Sequence, residues 1–214
     1  MPDINHHLNE KLLLGYATGS LPEAFNLVIA THVSLCDECR AQVESYEALG
    51  GEVLQKCGTV DVSKDALSAT LAKIDAGRDV EMPVPISNGV FPTPLHGYVN
   101  GDLDAVHWRK IGGGVSQAIL KTSRTATVRL LRIPAGTELP DHGHRGTEMT
   151  LVLKGAFCDE HDRFARGDIE IADEDVQHTP IAEEGEDCIC LAASDAPLRF
   201  TGLLPRIMQP FARI

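Results

Sequence analysis

Apolar residues recur at helical spacing through roughly the first eighty positions and in short alternating runs through the last hundred. Leu12, Leu13, Tyr16 and Ala17 share a helical face behind Asn9, a suitable N-cap, and Gly19 closes the element. In SLPE, residues 20–23, Ser20 can cap a second helix with Glu23 as its capping-box partner and Pro22 in the first turn. Phe25, Leu27, Val28, Ile29 and Val33 carry that helix to about Ser34. A third runs from about Asp37 to Leu54 with Val43, Tyr46, Leu49 and Val53 on one face and a weak point at Gly50-Gly51. Ser63 caps a fourth, striped by Ala66, Leu67, Thr70, Leu71 and Ile74 and closed by Gly77.

Between 79 and 97 the pattern breaks. Pro83, Pro85, Pro92 and Pro94, with Gly89 and Gly97, argue against a continuing helix and for a linker or extended strap. Past Trp108 come VSQAIL, TATVRLLRI, TEMTLVL, ADEDVQH, DCICLAA and LRFTGLL, short segments separated by glycine or proline. In TATVRLLRI, Val128 and Leu130 alternate with a bulky face of Arg129 and Arg132. The expectation is an α+β chain of two domains. Residues 1–80 form a small four-helix unit, 81–97 a Pro-rich linker, and 98–214 an all-β barrel or jelly roll.

Composition narrows the class. The 214 residues are 43% hydrophobic and 23% charged, the balance of a globular protein. Runs such as LVIA at 27–30 are far too short to span a bilayer. The start, MPDINHHLNEK, lacks the basic-then-apolar layout of a secretory leader, so a soluble cytoplasmic protein without membrane contact is expected. The net charge is −12, and residues 1–85 hold six Lys/Arg against thirteen Asp/Glu. Phosphate neutralisation needs cations, so direct nucleic-acid binding is disfavoured, and an acidic head suits a basic protein surface better.

Six cysteines stand at 36, 39, 57, 158, 188 and 190. Without an export signal, close pairs read as metal or redox sites instead of disulfides. In THVSLCDECR, His32 and Cys36 are one helical turn apart, and Cys39 follows with the two-residue gap that lets two thiolates reach one ion. A closed zinc site needs a fourth ligand, and the pair His6-His7 is the nearest supply, with His7 preferred and His6 the alternative. A redox CxxC would follow a strand, whereas here helix precedes it. Four protein ligands make such a site structural.

The order His7-x24-His32-x3-Cys36-x2-Cys39 and its surroundings, LLLGYATGSLPEAFNLVIATHVSLCDECR, resemble the zinc-binding anti-sigma domain over residues 5–76. The resemblance implies a four-helix domain that grips a sigma factor and hides its polymerase-binding surfaces. Its fourth helix, 64–76, would be an arm lying across the partner.

A second constellation reads Gly136-x5-His142-x-His144-x3-Glu148-x6-Gly155, with His178 downstream. Strand alternation puts His142 and His144 on one side, and Glu148 can return to it after the Arg145-Gly146 turn. This resembles the first cupin motif. The second motif is matched in spacing by Gly167 and His178, but Asp173, Asp175 and Ala182 depart from its usual residues. Three imidazoles and a carboxylate suit zinc, manganese, nickel or iron. Cys188 and Cys190 share one side of a strand, on the inner face of a barrel. Trp108 is a core anchor, and His96, His107 and His161 are surface or structural residues.

A zinc anti-sigma domain fused to a cupin resembles the ChrR-type anti-sigma factors over nearly the whole chain. That resemblance implies a 1:1 inhibitor of an extracytoplasmic-function (group IV) sigma factor. Its helical half inhibits, and its cupin half releases the partner on oxidative stress such as singlet oxygen. It implies no catalytic residues. The competing class is a metal-dependent, dioxygenase-like cupin enzyme with a helical appendage.

Overall fold

A computed structural model of the chain describes residues 3–77, 89–123 and 125–200, Phe200 by its backbone only. Pro83 and Pro85 of the expected strap, and the end of LRFTGLL, lie outside the described residues. Five helices come first: α1 (Glu10–Ala17), α2 (Glu23–Val33), α3 (Asp37–Gln55), α4 (Ala66–Asp75) and α5 (Thr93–Val99). Twelve strands follow: β1 (Arg109–Gly112), β2 (Val115–Leu120), β3 (Thr127–Ile133), β4 (His142–Gly143), β5 (Glu148–Lys154), β6 (Ala156–Cys158), β7 (Arg163–Ala165), β8 (Ile169–Ala172), β9 (Gln177–His178), β10 (Ile181–Ala182), β11 (Cys188–Ser194) and β12 (Arg199–Phe200). They build a six-stranded sheet in the order β1-β2-β3-β11-β5-β8 and two three-stranded sheets, β10-β6-β7 and β12-β4-β9.

Local chemistry explains most helix ends. The Asn9 side chain accepts from the Leu12 N–H, and Gly19, at φ +65, turns the chain out of α1. Ser20 does not cap α2. Its hydroxyl turns back to the Gly15 carbonyl and the Thr18 hydroxyl, closing α1, and Pro22 holds the N-cap position without a side-chain bond. Helix α3 runs unbroken through Gly50-Gly51. Helix α4 starts behind Asp65, two residues after the expected Ser63. At the end of the expected strap the chain forms α5, with Pro94 in its first turn, where the missing N–H has no helical partner to lose.

The six-stranded sheet is apolar on both faces. Val128, Leu130, Met149, Leu151, Leu153, Ile169, Ile189 and Leu191 face the helices in one continuous core with Leu12, Leu13, Phe25, Val28 and Ile29. Val115, Ile133, Val152, Phe157, Phe164, Cys188 and Cys190 fill the barrel interior. Two covered faces explain why Cys188 to Ala193 are all buried despite their alternation. Trp108 packs half-buried on the helix-facing core. Arg129 points inward to the Gln117 amide oxygen at 3.0 Å, whereas Arg132 lies exposed on Asp187. The two arginines therefore do not share a face, because positions three apart in a strand point oppositely.

Helix α2 lies between α1 and α3 on one side and β11, β5 and β3 on the other. Its first residue, Glu23, accepts from the Tyr98 hydroxyl at 3.0 Å and the Ser123 N–H at 2.7 Å. The helical half thus docks directly on the barrel.

Candidate metal centres

The first centre forms where three segments meet. His7 lies just before α1, His32 is in the last turn of α2, and Cys36 and Cys39 begin α3. Cys36 is the N-cap, its sulfur accepting from the Cys39 N–H at 3.4 Å, so both sulfurs lie at a helix N-terminus, where negative charge is favoured. His7 Nδ1 is 3.3 Å from the Cys36 sulfur and 3.7 Å from that of Cys39, and His32 Nε2 is 3.3 Å from the Cys39 sulfur. A tetrahedral zinc with ordinary bond lengths holds sulfur and nitrogen about 3.6 Å apart. All four donor atoms lie within 4.8 Å of one another. The donors fit a closed tetrahedral ion.

Each imidazole is held by its other nitrogen, the usual support of a metal-binding histidine. His7 Nε2 lies 3.5 Å from Glu38, and His32 Nδ1 lies 3.0 Å from the Gly167 carbonyl. Burial lowers the His32 pKa to about 4, so a neutral ring offers its lone pair, while burial pushes the Cys39 thiol up to about 12. A buried Cys39 thiol that resists ionisation on its own is suited to a cation that stabilises the thiolate. His6 points elsewhere, to Asp162 at 3.0 Å and onto the Phe164 ring.

The second centre lies inside the barrel. His142 and His178 are register partners on β4 and β9, and His144 follows β4. His178 Nε2 is 3.2 Å from His142 Nε2 and 3.4 Å from His144 Nε2, close to the spacing of about 3.3 Å between nitrogens of a tetrahedral zinc site. Burial lowers His142 and His144 to about 4. Burial also pulls His178 down, but the carboxylates of Glu170 and Asp159 outweigh it and the net shift is upward. The close donors are the three histidines, and the Glu148 carboxylate lies outside that set. Glu148 is half-buried at the start of β5 beside Thr150, its carboxyl pushed up to about 7 by desolvation, with the Arg129 charge opposing that rise.

Two carboxylates at this centre escaped the sequence reading. Glu170 lies 2.8 Å and Asp159 3.3 Å from His178 Nδ1. Ile-Glu-Ile on β8 held a signal for Glu170, since a residue between two isoleucines on the helix-facing side points into the barrel. Asp159, in a turn, offered none. Cys188 and Cys190 both face the interior as free thiols with sulfurs 3.5 Å apart.

A helical Cys/His knot docked on a three-histidine cupin barrel defines a two-part architecture with a group of side chains in each part that could hold a metal ion. Residues 97–196 match the ChrR cupin-like domain family. The chain is 54% identical over 213 residues to the anti-sigma-E factor ChrR of Cereibacter sphaeroides, covering 99% of each. It also matches a chain of the crystal structure of Rhodobacter sphaeroides SigE in complex with the anti-sigma ChrR. That match has a TM-score of 0.80 and 52% identity, covering 90% of this chain and 100% of the other. The chain belongs to the ChrR family of anti-sigma factors, which are regulators and not enzymes. None of its described helices is long and apolar enough to cross a membrane.

Proposed function

We propose that this protein inhibits an extracytoplasmic-function (group IV) sigma factor by 1:1 binding through its helical head. The cupin half relieves the inhibition under oxidative stress such as singlet oxygen. The observation that carries the reading is the end-to-end likeness to a ChrR anti-sigma-E factor, which spans both halves and not one motif. The functional units are the head, 1–80, a connector, 81–97, and the cupin half, 98–214.

The surface of the head supports a protein partner. Leu49, Val53 and Leu54 on α3, and Leu67, Leu71 and Ile74 on α4, are 51–73% exposed. An apolar surface of this kind, on a head with more acidic than basic residues, suits a partner with its own apolar patch and basic flank. His7, His32, Cys36 and Cys39 would hold zinc, which ties the N-terminal segment to α2 and α3. His142, His144 and His178, with Glu148 half-buried on the same side of the sheet, would hold zinc or another divalent ion such as manganese, nickel or iron.

Co-expression with group IV sigma factors from the same genome tests the reading. A stable 1:1 complex that cannot transcribe from its promoter, and that releases sigma after singlet-oxygen exposure in cells, is the expected result. Failure of every such sigma factor to co-purify would sink it.

A further inference from the structure

The two cysteines of the first centre are placed by the head alone, since both sit in the first turn of α3. The two histidines are not. Asp168, 1% exposed in the turn between β7 and β8, accepts from the N–H groups of Asn5 at 2.7 Å and His6 at 3.0 Å with one oxygen. Its other oxygen accepts from the Ala165 N–H at 2.8 Å. The Ile169 N–H reaches the His6 carbonyl at 3.4 Å, so the backbone immediately before His7 is moored to the barrel. One residue before Asp168, the Gly167 carbonyl accepts a hydrogen bond from His32 Nδ1–H and leaves Nε2 aimed at the Cys39 sulfur. Gly167 sits at φ +96, and a Cβ there would lie 2.7 Å from the Ile4 side chain, so the close approach requires glycine.

We propose that the β7–β8 turn of the cupin half positions both histidines of the head's metal centre. The Gly167 carbonyl selects the ring nitrogen of His32, and the Asp168 carboxylate anchors the segment before α1 that carries His7. The inference rests on the reading of that cluster as a metal site. The docked cupin half thereby adds to the metal affinity that the head has from its own four donors. Two residues after Asp168, on β8, Glu170 holds His178 of the other centre. One short segment, 167–170, therefore supports a ligand of each.

The test uses the full chain loaded with cobalt(II), whose thiolate charge-transfer band, assigned by its loss in Cys36→Ser, reports the first centre alone. Asp168→Asn is expected to weaken cobalt binding about tenfold or more, the usual effect of removing an outer-shell partner. Its d–d bands should also move as a histidine ligand is lost, with far-ultraviolet circular dichroism unchanged. Glu23→Gln, which loosens the same docking at a different place, is expected to leave both readouts alone. Equal weakening by Glu23→Gln, or binding within twofold of the unaltered chain in Asp168→Asn, would overturn the clamp. Cadmium-113 NMR of the unaltered chain gives an answer independent of variant folding. Coupling to His32 through Nε2 and to His7 through Nδ1 supports the proposal, and coupling to His32 through Nδ1 overturns it. Absence of any thiolate band in the unaltered chain would bring down the metal reading, and the clamp with it.

Discussion

Helix α2 buries Ala24, Phe25, Leu27, Val28 and Ile29, whereas α4, with Leu67, Leu71 and Ile74 also at helical spacing, buries nothing. The two are built from similar residues. What separates them is cover: α2 has α1 and α3 on one side and the barrel on the other, and the apolar side chains of α4 face water. A ten-residue helix is marginal in isolation, and each large apolar side chain it buries contributes about 1.5–3 kcal/mol. A stripe left open at that cost, like the exposed end of α3, is what the proposed sigma factor would cover. The contrast divides the head into a part that holds itself together and a part that waits.

The strongest way to break that division is at the metal knot. Cys36→Ala or Cys39→Ala is expected to abolish zinc in the head and sigma capture together, since structural zinc contributes about 10–16 kcal/mol in small domains. Capture retained in zinc-free variants, by pull-down with metal counting, would remove the knot from the self-supporting part. Next in size, Phe25→Ala should lower the unfolding free energy by about 3–5 kcal/mol in urea titrations, because its cavity would open inside a closed core. A loss under 1 kcal/mol would mean that α2 is not the buried element described here. Leu71→Asp sharpens the opposite side of the comparison. It should change the free chain's stability by no more than about 0.5 kcal/mol while weakening the sigma complex about tenfold or more, read by calorimetry. Destabilisation of the free chain by that variant would show that α4 already has a cover.

Much of this was legible because it is local. His32, Cys36 and Cys39 fall within one helix end and the next helix start, so their spacing alone brings them together. Parity along a strand likewise placed Glu148 inside the barrel. Distant partners were not legible. The choice between His6 and His7 is made by the Asp162 and Phe164 side chains, more than 150 residues away, which draw His6 off. Ser20 has the right neighbours for a capping box, yet its hydroxyl finds the end of the preceding helix instead. Phe25, Leu27, Val28 and Ile29 occupy more than one helical face, the trace in the sequence of a helix covered on two sides. Nothing local said that the second cover would be the barrel.

That shared cover has a consequence for how the two halves stay together. The covalent link between them makes docking a unimolecular event, which does not depend on dilution. A single cut between Gly77 and Gly89 would turn the same contact into a bimolecular one, governed by dilution. The cleaved chain is expected to remain paired at high concentration and to separate as it is diluted, by light scattering. A cleaved chain that stays paired at nanomolar concentration would show that the interface holds without its tether.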